Sequence, residues 1–179
     1  MFDALRRVAL AASVTMAVLA GAASAAQADS IPTAEARPGP NSQAASFASG
    51  AFTAVVDFTT VALREVAGGK CELTVNGTLL FTGTLTGSAD GTTTALIFAP
   101  CPEVAVTPPG TYPDVFRFHG NFAGTVNGVS ADGELTYAGV TQVGGAITAT
   151  ILLRGGATAI LRADAVAGVG GTYAGIART

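Results

Sequence analysis

Residues 116–139 read FRFHGNFAGTVNGVSADGELTYAG, and the positions of their apolar side chains decide the fold. Before Asn127-Gly128 the apolar residues Phe116, Phe118, Phe122 and Val126 all have even numbers; after it Val129, Ala131, Leu135 and Tyr137 all have odd ones. Successive side chains of a strand point to opposite faces, so two paired strands share one apolar face only if even positions on the first meet odd positions on the second. A two-residue Asn127-Gly128 turn does this. It sets Val126 opposite Val129 and Phe118 opposite Tyr137, and Asn-Gly is the favoured dipeptide where both turn residues need positive φ. An antiparallel hairpin of 114–126 with 129–138 is expected, apolar on its inner face.

The texture of the hairpin extends in both directions. From Ser46 onward, short runs of Val, Thr, Phe and Ile alternate with Gly, and no 3.6-residue periodicity is sustained, which predicts an all-β antiparallel domain over 46–179. Nine candidate strands, 51–65, 71–75, 78–86, 92–99, 114–126, 129–138, 145–153, 157–165 and 171–176, predict an antiparallel β-barrel of about eight to nine strands, with a β-sandwich as the alternative. In the first of them Phe58, Val61, Ala62 and Val66 would also fit a helix ended by Gly68, but the β-branched density of Val55, Val56, Thr59, Thr60 and Val61 favours a strand.

A second Asn-Gly lies in CELTVNGTLLFTG, 71–83, where Cys71, Leu73 and Val75 are odd and so are Leu79 and Phe81, with Leu85 beyond. Odd meeting odd across a hairpin needs an odd-length loop, so Val75-Asn76-Gly77 is expected to turn with Gly77 as a left-handed bulge. Asn76-Gly77-Thr78 also matches a glycosylation acceptor, and the turn is the preferred reading in a bacterial exported chain. The same parity surrounds Arg154-Gly155-Gly156, where Ile147, Ile151 and Leu153 are expected to face Ala157, Ala159 and Leu161. The glycines around Tyr173 (Gly168, Gly170, Gly171 and Gly175) read as a tight turn into a closing strand.

Residues 99–114, APCPEVAVTPPGTYPD, hold five prolines and cannot form a paired central strand. They are expected to be a long loop at the rim. The chain has two cysteines, Cys71 and Cys101, and a single disulfide is the leading expectation; no close Cys spacing points to a metal. With 71–75 and 78–86 as separate strands, a plain meander would put the two cysteines at opposite ends of the sheet. Bonding them then requires either that the loop double back or that the strand order differ.

The N-terminus, MFDALRRVALAASVTMAVLAGAASAAQADS, has the three parts of a secretory signal: Arg6-Arg7, an apolar core over 8–20, and small residues with cleavage expected after Ala28. Sec export fits better than a twin-arginine route, because Leu5 precedes the pair and Ala9 follows it. Residues 29–45, with Pro32, Pro38 and Pro40, are expected to be a flexible tail. Beyond residue 20 no apolar run approaches the length of a membrane helix. Localisation is therefore expected to be extracellular, with no transmembrane span in the mature chain.

The 179 residues carry 9 basic and 12 acidic side chains and one His, a net charge of −3 that argues against nucleic acid and anionic membranes as partners. Lys70 is the single lysine, and the abundance of Ala, Gly, Val and Thr points to a high-GC, actinobacterial source. His119 falls on the polar face of the hairpin with Arg117, Asn121, Asp132 and Glu134. These five could form an acid/base cluster, but a solvated outer face is the preferred reading. No Gly-x-Ser-x-Gly elbow, phosphate loop, His-Glu-x-x-His or dinucleotide fingerprint is present, so no catalytic residue, metal or cofactor is assigned.

The ending LRADAVAGVGGTYAGIA, 161–177, with its glycine-rich turn into Gly171-Thr172-Tyr173-Ala174-Gly175, resembles small secreted barrels of the allene oxide cyclase/dirigent-like superfamily over the last ~60 residues. The resemblance implies an eight-stranded antiparallel barrel with an apolar interior, and none of that superfamily's catalytic positions is matched. The expected function is a non-catalytic secreted barrel that binds a small apolar ligand or an envelope partner, with Phe116, Phe118, Phe122 and Tyr137 as ligand-binding candidates. The alternatives are an isomerase or cyclase acting inside the barrel and a structural or adhesive surface protein.

Overall fold

The computed structural model describes residues 44–179. The expected signal segment 1–28 and all but the last two residues of the expected tail 29–45 lie outside the described residues. Eight antiparallel strands follow in chain order: β1 (Ser46–Val66), β2 (Lys70–Gly83), β3 (Leu85–Ile97), β4 (Asp114–Val126), β5 (Val129–Thr141), β6 (Ala146–Gly155), β7 (Thr158–Val166) and β8 (Gly170–Arg178). Each pairs with the next, and β8 pairs with β1 from Ser46↔Ala177 to Thr53↔Gly170, closing the sheet into a barrel. Closure satisfies both edges and replaces the β-sandwich alternative.

The hairpin of 116–139 has the expected register, with Val126↔Val129, Phe118↔Tyr137 and His119↔Thr136. Asn127 has φ 52° and Gly128 φ 76°, the two positive values this turn requires. Phe118, Phe122, Val126, Ala131, Leu135 and Tyr137 are buried, as parity required; Val129 is 54% exposed although its partner Val126 is completely buried. Register around Arg154-Gly155-Gly156 also holds, with Leu153↔Ala159 and Ile151↔Leu161.

Nine expected strands become eight because 71–75 and 78–86 are not two arms of a hairpin. Asn76-Gly77 lies inside β2, paired with Asp57 and Val56 on one side and with Thr92 and Gly91 on the other. Cys71, Val75, Leu79 and Phe81 share parity because they share one continuous strand. The chain reverses instead at Thr84, between Gly83 (φ 103°) and Leu85, so Leu85 belongs to β3 and the expected strand 92–99 begins seven residues earlier. Tyr173 pins this reversal: its hydroxyl accepts the Leu85 N–H (2.9 Å) and donates toward the Thr82 carbonyl (3.0 Å).

β1 is a strand, with an interruption. Between Asp57↔Asn76 and Ala62↔Thr74, residues 58–61 stand opposite Val75 alone. Asp57 organises the bulge by accepting from the backbone N–H (3.0 Å) and hydroxyl (2.6 Å) of Thr59, and Thr60 Oγ1 takes the Asn76 N–H (2.9 Å). The insertion shifts the inward parity from even at Phe52, Ala54 and Val56 to odd at Leu63, which produced the helix-like spacing of Phe58, Val61, Ala62 and Val66.

The barrel is not filled uniformly. Toward the end that carries the Asn127-Gly128 turn and both strand termini, Phe122, Leu85, Leu135, Leu153, Leu161 and Val126 are completely buried. Glycines face glycines across β3 and β4 at Gly91↔Gly120 and Gly87↔Gly124, where a Cβ on either side would sit against the partner's backbone. Outward positions of β4 and β5 carry Arg117, His119, Asn121, Asp132 and Glu134 together with the exposed pair Val115 and Val140.

Candidate ligand-binding site

The opposite end of the barrel opens into a cavity of about 450 Å³. Four connections surround it: 67–69, 98–113, 142–145 and 167–169. The longest, the expected proline loop, folds over the mouth and places Val104, Ala105, Pro108 and Pro109 against the cavity. It begins with one short helical turn, α1 (Cys101–Val104), with Pro100 capping and Pro102 in the first turn.

Four contacts fasten this lid. Cys101 is bonded to Cys71, with their Cα atoms 4.8 Å apart. The Cys101 N–H donates to Glu65 Oε1 (2.9 Å), the Phe98 N–H to the Pro113 carbonyl (3.1 Å) and the Gly144 N–H to the Gly110 carbonyl (3.0 Å). The conflict between a meander and the disulfide disappears with the undivided β2. Cys71 pairs with Ile97 at the end of β3, four residues before Cys101, so both cysteines lie at the mouth.

The walls come from both sides of the ring: Phe52, Ala54, Leu63, Leu73 and Val75 from β1 and β2, and Phe116, Phe118, Tyr137 and Ile147 from β4 to β6. The β1 bulge brings Phe58 and Val61 to the rim, where they are 64% and 38% exposed. Phe116, Phe118 and Tyr137, three of the four expected ligand residues, line the space. Phe122 does not: it faces inward two positions deeper on the same face, beyond Gly120, and is 1% exposed, with its ring edge-on to Phe81 at 5.9 Å in the packed half. Parity gave its face but not its depth.

The polar side chains of the lining include Thr93, Tyr112 and Thr141 as well as Asp114 and Tyr137. Asp114 opens β4 on the same inward parity as Phe116 and Phe118, and accepts a hydrogen bond from Thr141 Oγ1 (2.9 Å), a buried hydroxyl. Burial raises the Asp114 carboxyl above its ordinary value of 3.8, and the Thr141 hydrogen bond only partly offsets this. Deeper, Tyr137 packs edge-on against Phe52 (5.3 Å) and Phe116 (5.0 Å). Its hydroxyl is buried with no hydrogen-bond partner among the described residues, and burial drives its ionisation far above the ordinary phenol value. Parity alone would have pointed Asp114 inward; only the cavity gives that meaning.

The polar cluster around His119 lies outside the barrel. His119 Nδ1 is 3.6 Å from Glu134 Oε1, and both side chains are about 60% exposed (61% and 59%), as expected for a solvated face. No family model, curated protein or solved structure matches the chain.

Proposed function

We propose that this protein is an exported barrel that binds a small apolar ligand in its mouth without chemically changing it. The carrying observation is the cavity itself: about 450 Å³, walled by aliphatic and aromatic side chains and roofed by the 98–113 loop, within the size range of small-molecule sites. Apolar side chains that leave such a space unfilled forgo packing contacts, and an apolar guest restores them. Export is supported by the N-terminal signal pattern and by the Cys71–Cys101 bond, a bond that persists in oxidising compartments. The resemblance to the allene oxide cyclase/dirigent-like superfamily is part of the same proposal. It implies eight antiparallel strands around an apolar interior, which this chain has, and no catalytic position is carried over.

The isomerase or cyclase alternative draws on one specific observation, that an acid and a phenol share the cavity. Their backbone positions argue against joint action on one atom. Asp114 pairs with Thr141 and Tyr137 with Phe118, four residues further along the wall, or about 13 Å at ~3.3 Å per residue.

A neutral solvatochromic dye titrated into the purified full-length protein tests the binding proposal, alongside native mass spectrometry of protein recovered from its own culture medium. Saturable uptake of one dye per chain, or a retained small molecule, is expected. No saturable uptake together with no retained mass would overturn it.

A further inference from the structure

Asp114 carries the single charge of the cavity wall. Among the described residues lining the cavity there is no Lys, Arg or His, and no second carboxyl. Asp114 opens β4 between Ile97 of β3 and Thr141 of β5, at the mouth end of the barrel, on the inward parity of Phe116 and Phe118. One oxygen, Oδ1, is held by the hydroxyl of Thr141 (2.9 Å), a buried residue of the same wall. The other is within reach of a guest. Among described residues that are buried or half-buried, Tyr137 Oη is the one side-chain oxygen or nitrogen both shut off from solvent and without a partner. Asp114 is half-buried and its Oδ2 accepts from no described residue, so that oxygen is open.

The second observation is that nothing nearby neutralises this carboxylate. The ion pairs among the described residues are Arg64–Glu72, His119–Glu134 and Arg162–Asp164, and none includes Asp114. The four connections around the mouth hold no Lys, Arg or His and one acid, Glu103, whose Oε2 takes the Tyr112 hydroxyl (2.8 Å). Lys70, at the β2 start, lies over the Phe98 ring, 5.1 Å from its centroid, and does not line the cavity. Burial without a counter-charge raises the Asp114 carboxyl. A partly buried charge left unpaired costs free energy, and an opposite charge beside it offsets that cost.

We propose that the cavity takes amphiphilic amines, molecules whose apolar body fills the space beneath the lid and whose protonated amine pairs with Asp114 at the mouth. The proposal rests on the binding function above and assigns its ligand class. The ammonium donates to Oδ2 while Thr141 keeps Oδ1 and so fixes the carboxylate's orientation; a charge-assisted hydrogen bond of this kind is stronger than one between neutral groups. Phe116 and Phe118, the next inward residues of β4, receive the apolar body. A carboxylate of the same length meets like charge at the mouth and finds no cation in the wall.

The test uses the full chain, a neutral displaceable dye and three probes of equal chain length: octylamine, octanol and octanoate, which at neutral pH are a cation, a neutral molecule and an anion. Octylamine is expected to bind the wild type on the order of tenfold more tightly than octanol, as for one hydrogen bond to a charged group, and octanoate more weakly than either. Asp114→Asn keeps an acceptor for Thr141 and removes the charge. In that variant octylamine is expected to fall to the affinity of octanol, while octanol changes little. Equal affinity of octylamine and octanol for the wild type would overturn the proposal, as would octanoate binding as tightly as octylamine. An advantage of octylamine that survives in Asp114→Asn would also overturn it, since adsorption to the acidic surface would produce that result. Failure of the neutral dye to show saturable uptake is a different outcome: it removes the binding function itself, and the ligand class with it.

Discussion

Phe118 and Phe122 lie on the same inward face of β4, yet they border different surroundings. Phe122 is enclosed by side chains on all sides, whereas Phe118, 2% exposed, has one side on the cavity. Phe122→Ala is expected to cost about 3–5 kcal/mol, from lost transfer energy plus a new void. Phe118→Ala is expected to cost less, since part of its surface already lacks packing partners, and to change dye affinity more; denaturant melts and dye titrations on the two variants check the order. Asp114 gives a pH signature. Its folded-state pKa is raised, so its protonated form contributes stability that is fully present below the unfolded value of 3.8 and is lost as pH rises through the folded value. Asp114→Asn, which still accepts from Thr141, is therefore expected to be more stable than wild type at pH 7, with the gain shrinking as pH falls toward 4. Melts at several pH values measure it, and a gain independent of pH would contradict the burial of this carboxyl.

At the scale of the element, two identical dipeptides have opposite conformations. Asn127-Gly128 turns with positive φ at both residues, and Asn127 Nδ2 also donates to Ser46 Oγ (2.8 Å). Asn76-Gly77 runs straight through β2, its side-chain oxygen taking the Thr92 hydroxyl (2.8 Å). One substitution distinguishes them. Asn127→Thr places a β-branched residue at a left-handed position and is expected to cost about 1–2 kcal/mol. Asn76→Thr suits an extended strand and is expected to stay within about 0.5 kcal/mol of wild type. Comparable losses at both sites, read from chemical melts, would contradict the undivided β2. The hairpin of 116–139 was legible because its parity changes across an Asn-Gly pair, and a two-residue turn there accounts for both the change and the dipeptide. Constant parity from Cys71 to Phe81 fits both an uninterrupted strand and an odd-length turn, and the sequence contains nothing local that separates them. The β1 bulge hides its register for a related reason, since inserted residues erase the alternation by which a strand is recognised.

For the whole molecule, the ring and the lid are coupled through one covalent bond. Cys71–Cys101 encloses 30 residues of sequence separation, β2, β3 and the start of the lid within them, and its removal is expected to cost about 3–4 kcal/mol in the chain-entropy treatment. A Cys71→Ala/Cys101→Ala variant is also expected to release bound dye faster, since the lid then keeps only its hydrogen bonds near Glu65, Pro113 and Gly110. Melts and dye off-rates measure the two effects, and an unchanged off-rate would show that the lid is held without the bond. The sequence by itself determined the all-β class, the apolar interior, the central hairpin and its register, the proline loop and the disulfide pair. Each follows from a local rule: alternation of side chains, the φ demands of Asn-Gly, the missing N–H of proline, or the presence of two cysteines only. The tertiary structure decided how many strands there are, where β2 continues and where it turns, and that the barrel is packed at one end and open at the other. Those depend on closure. Only when β8 meets β1 do Phe52 and Leu63 of β1 come to face Phe118 and Tyr137 of the β4–β5 hairpin across one cavity.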